Sequence, residues 1–144
     1  MSKNTCIHIE RVYNRTAEEV FSAWTDREQW VKWMGPQGFT VRDCSVDARA
    51  GGAYRCTMRS PDGDEHTVTG VFQAINPGHI SMTWGWETDG KRSHESVVEV
   101  EIASRGDRAV MMFDHCGFES DEARASHEQG WLSSFERLGP AVGS

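Results

Sequence analysis

The sequence is poor in leucine, in long apolar runs and in basic clusters, and each shortage argues against a class of protein. Only two leucines occur, whereas tryptophan, phenylalanine and methionine occur six times each. The longest apolar run is residues 109–113, far short of the roughly 20 residues that a membrane-spanning helix needs. The net charge is −7 with no basic block, which argues against nucleic acid and anionic membranes as partners. The start of the chain lacks the apolar stretch of a secretory signal, so we expect a cytoplasmic protein.

The four cysteines lack the spacing of a metal or redox motif. Cys6, Cys44, Cys56 and Cys116 are scattered and include no C-x-x-C pair, which argues against a zinc knuckle or a thioredoxin-type site. We expect free thiols, although an even number of cysteines leaves disulfides open. The phosphate-binding glycine loops and the nucleophile elbow are also missing. The sequence therefore predicts neither a cofactor nor a metal site.

Length and composition indicate one domain. The chain has 144 residues, of which 38% are hydrophobic and 26% charged. This is the size and mixture of one ordinary globular domain. No short period runs through the sequence, so a collagen or coiled-coil structure is not expected.

The first third of the chain has the pattern of one strand followed by two short helices. Residues 5–13 are rich in β-branched and aromatic types, which favours a strand. Thr16 and Glu19 have the spacing of a capping box, so a helix is expected to begin there. Asp26 is a suitable N-cap for a second helix, which the Gly-Pro pair at 35–36 would end.

Alternating apolar and polar residues indicate six strands in the middle of the chain, at 39–48, 53–59, 66–75, 80–87, 98–102 and 108–115. Turn-forming residues lie between most of them, at 61–64, 76–78, 88–91 and 105–107. Strands joined by short turns are antiparallel. Their alternation indicates that one face of the sheet is covered and the other is in water.

A long helix near the C-terminus would cover that face. Residues 120–122 can form an acidic N-terminal cap. One face of the helix then carries His127, Trp131, Phe135 and Leu138. Residues 139–140, Gly-Pro, would end the helix and leave 141–144 as a short tail. The order β-α-α-β6-α predicts an α+β fold, a curved antiparallel sheet wrapped around the last helix. Because a curved sheet does not touch a straight helix everywhere, we expect a gap of the kind that holds ligands.

A series of short motifs spans about residues 5–138, nearly the whole chain. In order they are Ala23-Trp24-Thr25-Asp26, Gly35-Pro36, Gly51-Gly52 before Tyr54-Arg55, Pro61-Asp62-Gly63, Gly70-Val71-Phe72, Asn76-Pro77, Trp84, Glu95-Ser96-Val97-Val98, His115-Cys116-Gly117-Phe118 and Gly130-Trp131. In this order they resemble the SRPBCC superfamily, which has the helix-grip fold of the START domains and the birch pollen allergen. Within it, the chain is similar to the family of activator-of-heat-shock-ATPase homologues. The resemblance implies a single helix-grip domain over residues 1–144.

Aromatic and sulfur-containing side chains from every predicted element could line the gap. Gly130 and Ser134 on the last helix would keep the space from filling. The candidate ligand-binding residues are Trp24, Trp33, Phe39, Tyr54, Met58, Phe72, Trp84, Trp86, Phe113, His115, Phe118 and Trp131. The alternative is a dry core in which the same residues only pack against one another.

Three residues are weak candidates for acid–base chemistry. His115 belongs to the His-x-Gly-Phe motif of the family that the chain resembles, and facing inward it would place a titratable group at the mouth of the cavity. The alternative is a histidine hydrogen-bonded to nearby backbone. His127 and Tyr54 could assist it. Asp114 points away from His115 in a strand, so no metal site is expected there. His66 lies at a strand end, where exposure is the default.

The sequence leaves three functions open. The first is binding of a small hydrophobic or aromatic ligand in a cavity between the sheet and the C-terminal helix. The second is a cyclase- or hydrolase-like enzyme that acts on a polyketide-type or aromatic substrate with a histidine as acid or base, although no catalytic motif is recognisable. The third is a chaperone-associated interaction module. A homodimer is compatible with the same resemblance.

Overall fold

The computed structural model describes residues 6–88, 91–92 and 94–141. Within these residues, strands and helices follow the predicted order, with one additional short strand. The elements are β1 (Cys6–Tyr13), α1 (Ala17–Thr25), α2 (Arg27–Trp33), β2 (Thr40–Val46), β3 (Ala53–Arg59), β4 (Glu65–Asn76), β5 (His79–Thr88), β6 (Lys91–Arg92), β7 (Ser96–Arg105), β8 (Arg108–Cys116) and α3 (Asp121–Ala141).

The strands form one antiparallel sheet in the order β1-β8-β7-β5-β4-β3-β2. This confirms the predicted α+β fold with a long C-terminal helix. The additional strand is β6, where Arg92 pairs with Glu87 at the end of β5. The turn predicted at 88–91 falls partly on residues 89–90, which lie outside the described residues. β1 and β2 are the two edges of the sheet, so the first strand of the chain lies beside the last one, β8.

The two short helices are joined at a single residue, as their capping signals predict. The capping box is present, since Thr16 Oγ1 accepts from the Glu19 amide and the Thr16 amide donates to the Glu19 carboxylate. Asp26 ends α1 and also caps α2. The indoles of Trp30 and Trp33 donate to main-chain carbonyls at the end of α1, at 2.5 and 2.9 Å. These bonds satisfy carbonyls that a helix end otherwise leaves unpaired.

A close approach of three strands fixes Tyr54 in the core. Its hydroxyl donates to the carbonyl oxygen of Thr83, two strands away. The ring crosses β4 at Gly70, where a Cβ atom would lie 2.0 Å from that same oxygen and 2.6 Å from the Tyr54 ring. Only glycine leaves room for this crossing. Position 70 therefore needs glycine for space.

The last helix is longer than the sequence predicts. Residues 139–140 were expected to end it, but α3 continues through Pro140 to Ala141. Leu138 and Gly139 are buried, so packing holds the final turn, and proline so near the end removes only one helical hydrogen bond. Of the predicted tail 141–144, the first residue is therefore helical and 142–144 lie outside the described residues. No described helix is long and apolar enough to cross a membrane.

The core contains a cluster of aromatic rings that meet in stacked, tilted and edge-on contacts between the sheet and the helices. Trp24 lies 4.9 Å from Trp33 and 5.9 Å from Trp131, measured between ring centroids. Phe113 on β8 lies 4.6 Å from Trp131 and 5.0 Å from Phe135 on α3. α1, α2, β8 and α3 are thus joined through aromatic contacts, which contribute roughly 0.5–1.5 kcal/mol per pair beyond their burial.

The expectation of free thiols is wrong for one pair of cysteines. Cys6 and Cys116 lie directly opposite each other on β1 and β8 and form a disulfide, with 4.1 Å between their Cα atoms. The partners are 110 residues apart in the chain, and only the strand register brings them together. Cys44 and Cys56 are buried and free.

Candidate functional site

A cavity of about 270 Å³ lies between α3, the sheet and the loop that joins α2 to β2. Its walls come from three parts of the fold, so no single motif encodes it. The lining residues are Met34, Gly35, Pro36 and Phe39 from the loop, Met58, His66, Trp84 and Trp86 from the strands, and Ser126, His127, Gly130, Trp131 and Ser134 from α3. Small-molecule sites are typically concave, mostly apolar and carry a few polar groups, and this cavity has that character.

Three indoles form the deep wall of the cavity. Trp84 lies 4.8 Å from Trp131 and 5.7 Å from Trp86 between ring centroids. Trp84 and Trp131 are buried, whereas Trp86 is only partly buried. Nearer the opening, the exposed His66 lies 6.1 Å from Phe39. The wall therefore offers flat apolar surfaces at several angles, which suits a ring-shaped ligand.

The helix side of the cavity is kept open by small residues. A Cβ atom at Gly130 would meet only the Pro36 Cγ atom within 4 Å, at an ordinary contact distance of 3.9 Å. Ser134 turns its hydroxyl back to the carbonyl oxygen of Gly130, at 3.0 Å. A bulky side chain at either position would enter the cavity. This agrees with the expectation that Gly130 and Ser134 keep the space from filling.

The conformation and position of the loop that lines the cavity between α2 and β2 depend on Gly35 and Arg137. Gly35 has a φ of 99°, which side chains rarely tolerate, and a Cβ atom there would lie 3.0 Å from the Met58 sulfur. Arg137 on α3 donates to the carbonyl oxygens of Gly35 and Pro36, both at 2.9 Å. Burial lowers the pKa of Arg137. The loop is thus bonded to the helix across the cavity rim.

His127, at the cavity wall, is held in one tautomer by two hydrogen bonds. Its Nε2 atom accepts from the Trp86 indole at 2.8 Å, and its Nδ1 atom contacts the carbonyl oxygen of Ala123 at 2.8 Å. Because an indole N–H can only donate, Nε2 carries no proton and Nδ1 donates to the carbonyl. Burial lowers the pKa of His127.

His115 is fully buried behind Trp131 and belongs to a second chain of hydrogen bonds. The Trp131 indole donates to its Nδ1 atom at 3.0 Å, and its Nε2 atom lies 2.7 Å from the Ser96 hydroxyl. Nδ1 must therefore be the bare nitrogen, so Nε2 donates to Ser96, whose hydroxyl donates to the carbonyl oxygen of Trp84. Burial, with a smaller contribution from His127, lowers the pKa of His115 to about 3.

The three acid–base candidates are thus all engaged in structural hydrogen bonds. His115 and His127 are neutral near pH 7, and neither has a ring nitrogen left for a substrate. Burial also raises the pKa of Tyr54, whose hydroxyl is bonded to a carbonyl. The partners of His115 are side chains, not the nearby backbone that the sequence suggested as the alternative.

The predicted ligand-binding residues separate into two groups. Five of them line the cavity: Phe39, Met58, Trp84, Trp86 and Trp131. The other seven are buried elsewhere and pack in the core or behind the cavity wall: Trp24, Trp33, Tyr54, Phe72, Phe113, His115 and Phe118. Phe118, for example, contacts the rings of His115 and His127 at 4.3 and 4.8 Å.

Sequence reasoning missed five lining residues. Met34, Gly35 and Pro36 have the pattern of a helix end, His66 lies at the end of a predicted strand, and no sequence pattern marks Ser126. The Gly-Pro pair was the one available signal, because a loop that leaves a helix abruptly is free to line a site. Within the described residues, no group of three or more His, Cys, Asp or Glu side chains could hold a metal ion.

Comparison with known proteins agrees with this architecture. The antiparallel sheet with its long C-terminal helix is the helix-grip fold of the SRPBCC class of proteins. The family model for Activator of Hsp90 ATPase homolog 1-like proteins matches residues 14–143, so the chain belongs to that family. A search of curated proteins finds no match.

Solved structures give the same fold over nearly the whole chain. The AHSA1 protein of Silicibacter pomeroyi is 28% identical, with a TM-score of 0.88 over 95% of this chain and 96% of that one. A protein of Chromobacterium violaceum is 24% identical, with a TM-score of 0.88 over 97% and 98% of the two chains. A protein of Staphylococcus epidermidis is 18% identical, with a TM-score of 0.83 over 99% and 92%.

Proposed function

We propose that this protein binds a small hydrophobic or aromatic molecule in the cavity between the sheet and α3. The observation that carries the proposal is the cavity itself, which is walled by Trp84, Trp86 and Trp131 and left open on the helix side by Gly130. The space of about 270 Å³ opens to the surface. Its indole walls support the proposal, since small-molecule sites are mostly lined by apolar and aromatic side chains.

The cavity limits the size and polarity of the ligand. Its volume of about 270 Å³ lies just below the range of about 300–1,000 Å³ for drug-sized ligands, so a molecule of one or two rings fits best. The indole N–H groups of Trp86 and Trp131 are occupied by histidines. The buried Trp84 N–H has no acceptor among the described residues.

The indole signals of 15N-labelled protein provide a direct test with 2-naphthol as the probe. Trp84, Trp86 and Trp131 line the cavity, whereas Trp30 and Trp33 are buried away from it. We expect 2-naphthol to shift the first three indole N–H signals in a saturable way and to leave the other two in place. Uniform shifts, or no saturable shift, would contradict the proposal.

A cavity-filling variant supplies the matched comparison. Gly130→Leu places a side chain in the cavity, while Ala125→Leu adds a similar side chain at an exposed position of the same helix. We expect the first variant to bind 2-naphthol roughly tenfold more weakly or worse, a change of about 1.4 kcal/mol or more, and the second to bind like the wild type. Equal affinities for all three proteins would rule out this cavity as the site.

The two alternative functions have less support. The enzyme alternative needs a histidine with a free nitrogen facing the ligand, and the two histidines proposed for acid–base chemistry, His115 and His127, use both nitrogens in structural bonds. The exposed His66 is the other histidine of the lining. The chaperone-associated alternative rests on the family description alone.

A further inference from the structure

The cysteine pair on β2 and β3 lies outside the cavity and has no part in the proposed function. Cys44 and Cys56 face each other directly in the register of these two strands. Both are buried and neither is in a disulfide. The same arrangement of two opposed cysteines, Cys6 and Cys116, carries a disulfide at the other edge of the sheet.

The hydrogen-bond pattern shows that the pair occupies the closer of the two kinds of cross-strand position. The Asp47 amide donates to the carbonyl oxygen of Ala53 at 3.0 Å. Asp47 and Ala53 therefore form a hydrogen-bonded pair, one position beyond the last pair of the strand register. Opposed pairs alternate between hydrogen-bonded and non-hydrogen-bonded types. Three positions further along, Cys44 and Cys56 therefore form a non-hydrogen-bonded pair. In such pairs the Cα atoms are about 4.5 Å apart and the side chains approach closely, within the range that a disulfide requires.

The two thiols are not equivalent. β2 is an edge strand, and Cys44 is 7% exposed while Cys56 is completely buried. A hydrogen bond from the Cys56 thiol lowers the pKa of Cys44, and the nearby positive charge of Arg27 acts in the same direction. That bond and burial raise the pKa of Cys56. Because the thiolate is the reactive form of cysteine, Cys44 is the one that reacts first.

We propose that Cys44 and Cys56 form a redox-modification site that a low-molecular-weight disulfide, such as glutathione disulfide, converts into a second cross-strand disulfide. The Cys44 thiolate attacks one sulfur of glutathione disulfide, breaks its S–S bond and releases one glutathione. The Cys56 thiol loses its proton to solvent and attacks the Cys44 sulfur, which releases the second glutathione. The two protein thiols lose two electrons and two protons, and glutathione disulfide is reduced to two glutathione molecules.

Peptide mapping tests the proposal on the unmodified protein. Trypsin cleaves after lysine and arginine, so the four cysteines fall in separate peptides: 4–11, 43–49, 56–59 and 109–124. The folded protein is equilibrated with glutathione disulfide, free thiols are alkylated, and linked peptides are identified by mass spectrometry. We expect 43–49 joined to 56–59 as the main form of these two cysteines, and its loss on treatment with dithiothreitol. Two alkylated thiols, or links of Cys44 or Cys56 to the other cysteines, would overturn the proposal.

Two single variants test the order of the steps. With Cys56→Ser, we expect Cys44 to remain as a mixed disulfide with glutathione, because the resolving thiol is missing. With Cys44→Ser, we expect Cys56 to react roughly tenfold more slowly or less, because it is buried and mostly protonated. The Cys6–Cys116 link, mapped in the same digests, shows whether each variant has folded. Equal reactivity of the two remaining thiols in folded variants would overturn the assigned roles.

Discussion

At the scale of single residues, His115 and His127 act as acceptors for indole N–H groups. The indoles of Trp131 and Trp86 donate to His115 and His127 respectively. An imidazole that accepts such a bond must be neutral at that nitrogen, and protonation would place two N–H groups against each other. The histidines therefore stabilise two cavity-lining tryptophans only in their neutral form.

This arrangement predicts a stability that falls with pH below the ordinary histidine pKa. The pKa of His115 is lowered from 6.5 to about 3, so between these values the unfolded chain binds a proton that the folded protein excludes. Stability is fully present above pH 6.5 and declines as the pH falls toward 3, by up to about 1.4 kcal/mol per pH unit. We expect His115→Gln to flatten the plot of unfolding free energy against pH between 6.5 and 5, measured by urea denaturation.

An exposed histidine provides the control for that slope. His8 lies at the sheet surface, and its hydrogen bond to Asp114 raises its pKa. A raised pKa contributes stability at low pH that is lost as the pH rises, which is the opposite sign. His8→Gln should therefore not flatten the slope. If His115→Gln kept the full wild-type slope, the burial of a neutral His115 would not be its source.

At the scale of elements, the loop between α2 and β2 acquires its position from α3. Arg137 donates to the carbonyl oxygens of Gly35 and Pro36, and the amide of Gln37 donates to the Ser133 hydroxyl at 2.7 Å. These bonds replace the regular pairing that a loop lacks. One wall of the cavity thus depends on a side chain that is not among the lining residues.

Removing the guanidinium should loosen that wall. We expect Arg137→Met to lower the free energy of unfolding by roughly 1–3 kcal/mol, because partly buried carbonyl groups lose a charged donor. 2-Naphthol should also bind more weakly to Arg137→Met than to the wild type. Arg137→Lys keeps the charge but not the forked donor geometry. Its stability and its affinity for 2-naphthol should therefore lie between those of Arg137→Met and the wild type. Affinity is measured from the Trp84 and Trp86 indole signals and stability by urea denaturation. An Arg137→Met variant with unchanged affinity would show that the loop holds its position without α3.

Strands and helices were predictable from the sequence because their signals arise within a few neighbouring residues. The lining of the cavity was not predictable in this way. Alternation identified 53–59 as a strand, and the spacing of Thr16 and Glu19 located the start of α1, because both patterns arise within a few residues. Whether a given ring faces the core or the cavity depends on how far the sheet curves away from α3. Trp84 and Phe72 are both buried strand residues, yet only Trp84 lines the cavity. The register between strands that lie far apart in the chain also cannot be predicted from local patterns. For this reason the Cys6–Cys116 disulfide was not predicted.

At the scale of the whole molecule, the disulfide joins the first strand of the chain to the last. Cys6 begins β1, an edge of the sheet, and Cys116 ends β8, just before α3. A cross-link over 110 residues restricts the unfolded chain strongly, by up to about 4.7 kcal/mol in the chain-entropy estimate. Its effect on stability is therefore global, although the bond itself lies at one end of two strands.

Loss of this bond should lower the stability of the entire domain. We expect Cys6→Ser to reduce the free energy of unfolding by about 2–5 kcal/mol, measured by urea denaturation at constant pH. Dithiothreitol should lower the wild-type midpoint to that of the variant and leave the variant unchanged, because both treatments remove the same constraint. A wild-type midpoint that does not respond to dithiothreitol, with reduction verified by peptide mapping, would mean that strand pairing and the aromatic core hold β1 without the cross-link.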